Sequence, residues 1–226
     1  MRCARVSRPL VAIAAALASV AIVPTTQTGA AARRPPAASQ RSFDEFYAEG
    51  QRANASMKTL TARFTETTTS SLLTRPLVSR GQLAVERPTR VVLRYNEPES
   101  RVVLIDGNKM TLSWPSRNIR QVTDIGTAQR RVQKYFVNGT ADDLRKQFDI
   151  EQHATSDRPN TQYVTMVPKR KQIREALVRL DLWVNQSSKL MDSMKMTFAN
   201  GDTKTLVFEV VVPNAPLEPG AFTLNR

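Results

Sequence analysis

Apolar and polar positions alternate with the two-residue period of a β-strand over most of this chain. Leu60, Ala62 and Phe64 interleave with Thr61, Arg63 and Thr65, and the threonine-rich run to Thr69 continues the strand. Gln82 to Glu86 predicts a second strand, ended by Arg87-Pro88. Val91, Leu93 and Tyr95 then share one face while Val92 and Arg94 take the other. Arg101 to Ile105 runs into Asp106-Gly107, a dipeptide suited to a tight hairpin because glycine accepts positive φ without steric cost. Met110, Leu112 and Trp114 alternate up to Pro115. Later runs at Tyr163 to Val167, Ala176 to Val184, Leu190 to Phe198 and Thr205 to Val212 repeat the pattern, with Asn200-Gly201-Asp202 joining the last two as a hairpin. Strands at this spacing, without helices between them, predict a large antiparallel meander.

Helical periodicity is confined to three places. Ser42-Phe43-Asp44-Glu45 is a capping box, in which the serine and glutamate side chains satisfy helix-start donors reciprocally. Phe43, Phe46, Tyr47, Ala53 and Met57 recur on one face behind it, predicting a helix from about Phe43 to Met57. In mid-chain, Gln129 to Val137 carries Val132, Tyr135 and Phe136 and stops at Asn138-Gly139. Thr140-Ala141-Asp142-Asp143 then caps a second short helix holding Leu144 and Phe148. The expected fold class is α+β, mainly antiparallel β. With no internal repeat and no shift in composition, residues 42–226 are expected to form a single domain.

The front of the chain reads differently. Arg2, Arg5 and Arg8 precede a run from Leu10 to Val23 without a charge, and Ala30-Ala31-Ala32 follows as a small-residue cleavage site. This is the layout of a secretory signal peptide over residues 1–32, the apolar run being too short to span a bilayer comfortably. Residues 33–41, with Pro35 and Pro36, read as a flexible leader. Cys3 precedes the apolar run, so it is not placed as a lipobox cysteine. Cleavage after Ala32 would remove three arginines and no acid, taking the formal charge from +13 to +10. It would also remove the chain's one cysteine. Without disulfides in an oxidising compartment, stability must come from an apolar core.

Candidate chemistry is thin. His153, the one histidine, lies in Glu151-Gln152-His153 and reads as an exposed strand-end residue. Asp142-Asp143 is better explained as a helix cap than as a carboxylate pair, because adjacent helical side chains diverge. No P-loop, dinucleotide, zinc-protease or serine-nucleophile signature is present. No catalytic activity, cofactor or metal is therefore expected. Lys169-Arg170-Lys171 is the densest basic cluster, and without aromatic neighbours it reads as a solvated or headgroup-facing stretch. No nucleic-acid partner is expected. Trp114, Trp183, Met191, Met194, Met196, Phe198 and Phe208 supply large or adaptable apolar surface.

The order of several motifs is informative. Gly81-Gln82-Leu83-Ala84-Val85-Glu86-Arg87-Pro88 is followed by Leu93-Arg94-Tyr95-Asn96-Glu97-Pro98 and then by Asp106-Gly107. Trp114-Pro115, Gln121-Val122, Pro168, Asn200-Gly201-Asp202 and Ala221-Phe222-Thr223-Leu224 come after. In this order and spacing the chain resembles the periplasmic outer-membrane lipoprotein carrier family of LolA type, over roughly residues 42 to 226. It departs where Thr111 and Ser113 thin a strand that is usually aromatic, and where Ala84 and Leu93 are smaller than usual.

The resemblance implies an unclosed β-barrel, or strongly curved antiparallel sheet, with helices covering its concave apolar face as a lid. It implies a binding role in which acyl chains of lipoproteins or related lipids are shielded from water and carried through the periplasm. The implied partners are acylated lipoproteins or lipid, an inner-membrane releasing complex and an outer-membrane receptor, and the carrier is expected to be a monomer. Strand alternation combined with this resemblance nominates Val91, Leu93, Tyr95, Val103, Met110, Leu112 and Trp114 as lining the acyl cavity. It also implies that Arg87 latches the lid helices to the sheet. A lipid-binding sensor of the same fold and an exported hydrolase acting on a lipid or cell-wall substrate are the alternatives.

Overall fold

A computed structural model describes residues 42–132 and 139–224. The signal-peptide and leader expectations for residues 1–41, and the helical expectation for 133–137, lie outside the described residues.

Eleven strands form one antiparallel sheet: β1 (Thr59–Thr69), β2 (Leu77–Glu86), β3 (Arg90–Glu97), β4 (Arg101–Asp106), β5 (Lys109–Trp114), β6 (Ile119–Asp124), β7 (Phe148–Gln152), β8 (Thr161–Pro168), β9 (Leu177–Asn185), β10 (Met191–Phe198) and β11 (Thr203–Pro213). The strand order is β6-β5-β4-β3-β2-β1-β11-β10-β9-β8-β7, so β1 pairs with β11 at the centre while β6 and β7 are the two edges of an unclosed sheet. The helices are few and short: α1 (Phe43–Ala53), α2 (Gly126–Val132), α3 (Ala141–Gln147) and α4 (Lys171–Arg174). Both expected caps form. The Ser42 hydroxyl accepts from the Glu45 amide while the Glu45 carboxylate accepts from the Ser42 amide, and Thr140 and Asp143 reproduce the exchange at α3.

Several elements differ from the pattern's reading. The first helix stops at Ala53 with Asn54 as its C-cap, one turn short of Met57, which instead turns in beneath the sheet's apolar face. Phe148 starts β7 rather than ending a helix, because the backbone becomes extended at the C-cap of α3. Edge strand β6 and short helix α4 are additional elements.

Register explains the core. Leu60, Ala62 and Phe64 of β1 align with Val85, Leu83 and Gly81 of β2, and these with Val91, Leu93 and Tyr95 of β3. The row continues through Ile105 and Val103 of β4 to Met110 and Leu112 of β5. In the other direction it passes through Leu206 of β11, Met194 of β10 and Leu182 of β9 to Val164 of β8. All of these belong to one continuous apolar cluster except Gly81, which has no side chain, and Leu112, which packs partly buried against it. Leu144 of α3 lies inside the cluster, and Phe43 and Tyr47 of α1 pack on it, so these helices cover the concave side.

The convex side carries a smaller cluster of Val92, Val102, Leu104 and Phe222, where the C-terminal tail straps β2 to β4. The Arg94 guanidinium donates to the carbonyls of Ala221 and Thr223 at 2.9 and 2.7 Å, and Arg90 stacks on the Phe222 ring. Trp183, expected among the adaptable apolar surface, faces this convex side. It stacks on Tyr163, which stacks on His153. His153 is therefore half-buried against an aromatic ring, not the exposed strand end its polar neighbours suggested.

Gly81 is a position where the backbone admits no side chain. A Cβ there would meet the Arg94 carbonyl oxygen at 2.1 Å and the Phe64 ring at 2.8 Å, beside an irregularity in the β2–β3 register. Gly81→Ala must push these strands apart, and overpacking of this kind costs about 1–3 kcal/mol. The expected result is a lower urea midpoint with an unchanged denaturant slope, and an unshifted midpoint would show that the strands yield freely.

Candidate functional site

The candidate site is the concave apolar face and the helices over it. Along β1 it runs from Leu60 to Glu66, about 20 Å at the rise of a strand. Of the residues nominated for the cavity, Val91, Leu93, Tyr95, Val103 and Met110 are buried together in the concave cluster. Leu112 is partly buried at its margin. Trp114 is half-buried, pairs with Ile119 of the edge strand and lies outside both buried clusters.

One end of this face is closed by α1. Arg87 follows the last residue of β2, where its amide donates to the Lys58 carbonyl at 2.9 Å, and its Nη1 donates to the carbonyl of Asn54 at 3.0 Å. Asn54 is the C-cap of α1, whose last carbonyls lack partners within the helix and carry the negative end of its dipole. A guanidinium is suited to that position. Burial pushes the Arg87 pKa below the usual arginine value.

Four further attachments hold the helix. Lys189, in the turn between β9 and β10, reaches Glu49 at 2.9 Å and lies over the Phe46 ring. Arg145 of α3 pairs with Asp44. Gln51 is buried on the underside of α1 and donates to the Gly139 carbonyl at 3.3 Å. The Tyr47 hydroxyl donates to the same oxygen, and burial pushes its pKa up to about 12, so it stays a neutral donor. The helix over the apolar face is thus fastened largely by polar contacts around its rim.

The opposite end of the face carries a polar cluster that sequence reasoning missed. Glu66 is only 3% exposed, and its Oε2 accepts from the Tyr95 hydroxyl at 2.7 Å. Its Oε1 accepts from Arg101 at 2.9 Å and from Lys204 at 3.0 Å. Burial, and then the Glu66 charge, push the Tyr95 phenol far above its usual range, so it acts as a donor. Arg101 also stacks on the Tyr95 ring, and Tyr95 meets Phe64 edge-on at 4.9 Å. A residue on β4 reaches β1, about 14 Å away across a flat ladder, because the sheet curls toward this face. The signal was present in the parity of the strands. Glu66 occupies the same face as Leu60, Ala62 and Phe64, Arg101 the same face as Val103 and Ile105, and Lys204 the same face as Leu206.

A curled, unclosed antiparallel sheet with its concave apolar side roofed by short helices defines a class of proteins built around a covered apolar surface. A family model described as outer membrane lipoprotein carrier protein LolA matches residues 55–225, and the chain belongs to that family. It is 23% identical over 168 residues to the outer-membrane lipoprotein carrier protein of Pseudomonas entomophila, covering 74% of this chain and 78% of the relative. It is 26% identical over 168 residues to the protein of the same name from Methylibium petroleiphilum, covering 74% and 79%. Among solved structures it is similar to a LolA superfamily protein from Nitrosomonas europaea, with a TM-score of 0.40, 10% identity, and coverage of 80% of this chain and 96% of the other.

Proposed function

We propose that this protein is a periplasmic carrier that encloses the acyl chains of lipoproteins, or of related lipids, against its concave face and delivers them toward the outer membrane. Residues 1–32 serve as its export signal, residues 33–41 as a leader and residues 42–226 as the carrier domain. It takes cargo from an inner-membrane releasing complex and passes it to an outer-membrane receptor, working as a monomer and making or breaking no covalent bond.

The observation that carries this reading is the contrast between the roof and what lies under it. The concave apolar cluster that α1 and α3 pack against draws side chains from ten strands, while α1 is fastened at its rim by Arg87, Glu49 and Asp44. Lifting such a helix breaks a few polar contacts and uncovers apolar surface. An entering acyl chain covers that surface again, gaining about 0.8 kcal/mol for each methylene removed from water. Val91, Leu93, Tyr95, Val103, Met110, Leu112 and Trp114 are the residues proposed to receive the chain, and Arg87 is the latch.

Two measurements test the reading. N-terminal sequencing of the mature protein should place its start near Ala31 to Arg33, in a periplasmic fraction free of membranes, whereas retention of Met1 would remove the export signal. Mass spectrometry of the protein purified under native conditions should find bound acylated lipoprotein or lipid. A protein that carries none, and that fails to displace a fluorescent acyl probe from micelles, would overturn the carrier role.

A further inference from the structure

We propose that Arg101 and Lys204 form a head-group site, so that this carrier selects amphiphiles bearing a singly charged anion, an acyl carboxylate or a phosphate ester, over neutral ones. The inference rests on the carrier reading and adds to it a substrate class. Three observations bear on it.

The first is position. Glu66, Arg101 and Lys204 stand on the face that carries the apolar cluster, at the end of β1 away from Arg87, and the Lys204 strand pairs with buried Met196. A chain lying along Phe64, Ala62 and Leu83 would bring its polar end to this cluster. The second is charge. Among the described residues, the ion pairs of both Arg101 and Lys204 run to one carboxylate, and to the same oxygen of it. Tyr95 takes the other oxygen. Two cations share one anion, leaving one positive charge beyond what Glu66 balances.

The third is access. The carboxylate is sealed at 3% exposure while the cations are 26% and 25% exposed, so part of each cation is reachable from solvent. Arg101 is also held in place, its guanidinium lying 3.8 Å from the Tyr95 ring centre. A pinned, planar guanidinium offers paired donors to a carboxylate or phosphate, and the neighbouring ammonium adds a point charge. A pair needed only to neutralise Glu66 would require one cation.

The test is competition for a neutral fluorescent acylglycerol bound to the mature protein. Three competitors of equal chain length are used: a fatty alcohol, a fatty acid and a lysophosphatidylglycerol, whose phosphodiester carries a single negative charge. At least one of the two anions is expected to displace the probe at a concentration tenfold or more below that of the alcohol, with the advantage shrinking in high salt. Whichever anion competes better identifies carboxylate or phosphate as the preferred head. In Lys204→Met the ratio of anion to alcohol should fall to within about threefold of one. Arg101→Gln serves as a second variant, with thermal melting of both recorded to verify folding. Equal competition by all three compounds in the wild type, or an anion advantage that persists in both folded variants, overturns the head-group site while leaving the carrier role standing. Failure of every compound to displace the probe overturns the carrier reading and the head-group site with it.

Discussion

Arg87→Leu should give a protein that still takes up acylated cargo, holds it more tightly than the wild type and releases it poorly to an acceptor. At the C-terminus of α1 the Asn54 carbonyl accepts from the Arg87 guanidinium. Hydrogen bonds from a charged donor are worth about 1.5–3 kcal/mol. On the latch role proposed for Arg87, that energy favours an empty, closed state, so cargo would overcome it on entry and the protein would regain it on release. Removing the latch from the empty state raises apparent affinity by roughly 10- to 150-fold on the same figures and slows handover correspondingly. The measurement is transfer of labelled lipoprotein from the carrier to receptor-bearing vesicles, alongside probe affinity. Lysine at position 87 should restore little, because one ammonium lacks the fork that can reach more than one acceptor at a helix end. Wild-type transfer with wild-type affinity would reduce Arg87 to a structural strand-end charge.

Leu93→Glu is expected to act on the proposed acyl-binding surface. Leu93 is buried between Leu83 and Val103, in register with both. A carboxylate there has no cation beside it among those buried neighbours, and burying an unpaired charge costs several kcal/mol unless the group takes up a proton. Its folded pKa would therefore rise above the unfolded value of about 4.3. The penalty is smallest below that value, where the group is protonated in both states, and grows as pH rises toward the folded pKa. Denaturation midpoints should show the variant nearest to wild type at acid pH and furthest from it at neutral pH. Acyl-probe affinity at neutral pH should fall by more than tenfold. A variant with intact probe binding would remove Leu93 from the site.

Much of the sheet was legible because β1 and β2 bury one face and leave the other more exposed, which imposes their two-residue alternation. By contrast, β4 is buried on both faces and reads as one apolar run from Val102 to Ile105. The edges were harder. β6 is mostly exposed and so carries no apolar alternation to read. In β7, Phe148 lies two residues from Ile150 and four from Leu144, so it suits a strand face and a helix face equally. Only the extended backbone at the end of α3 decides between them. The same ambiguity extended the first helix on paper to Met57, since four residues separate Met57 from Ala53.

The cluster around Glu66 was harder to read for another reason. Its carboxylate and cations are separated by 35 and 138 positions, and only the strand order brings them together. Glu66 in an otherwise apolar row was the available clue, masked by the threonines around it. Trp183 shows the converse. A large aromatic residue suggested the binding face, but its parity with Asp181 and its pairing with Ser193 put it on the other side.

The unclosed sheet has a mechanical consequence. A closed barrel has a circumference fixed by strand number and stagger, and its bore cannot widen unless a ladder is broken. Here, among the described residues, β6 pairs only with β5 and β7 only with β8, and the chain runs from one edge to the other by way of α2 and α3. The sheet can therefore change girth by flexing, as a cut hoop does, with its inter-strand hydrogen bonds intact and only helix-to-sheet contacts exchanged. A vessel of this kind can fit itself to a slender load or a bulky one without being partly unfolded by either.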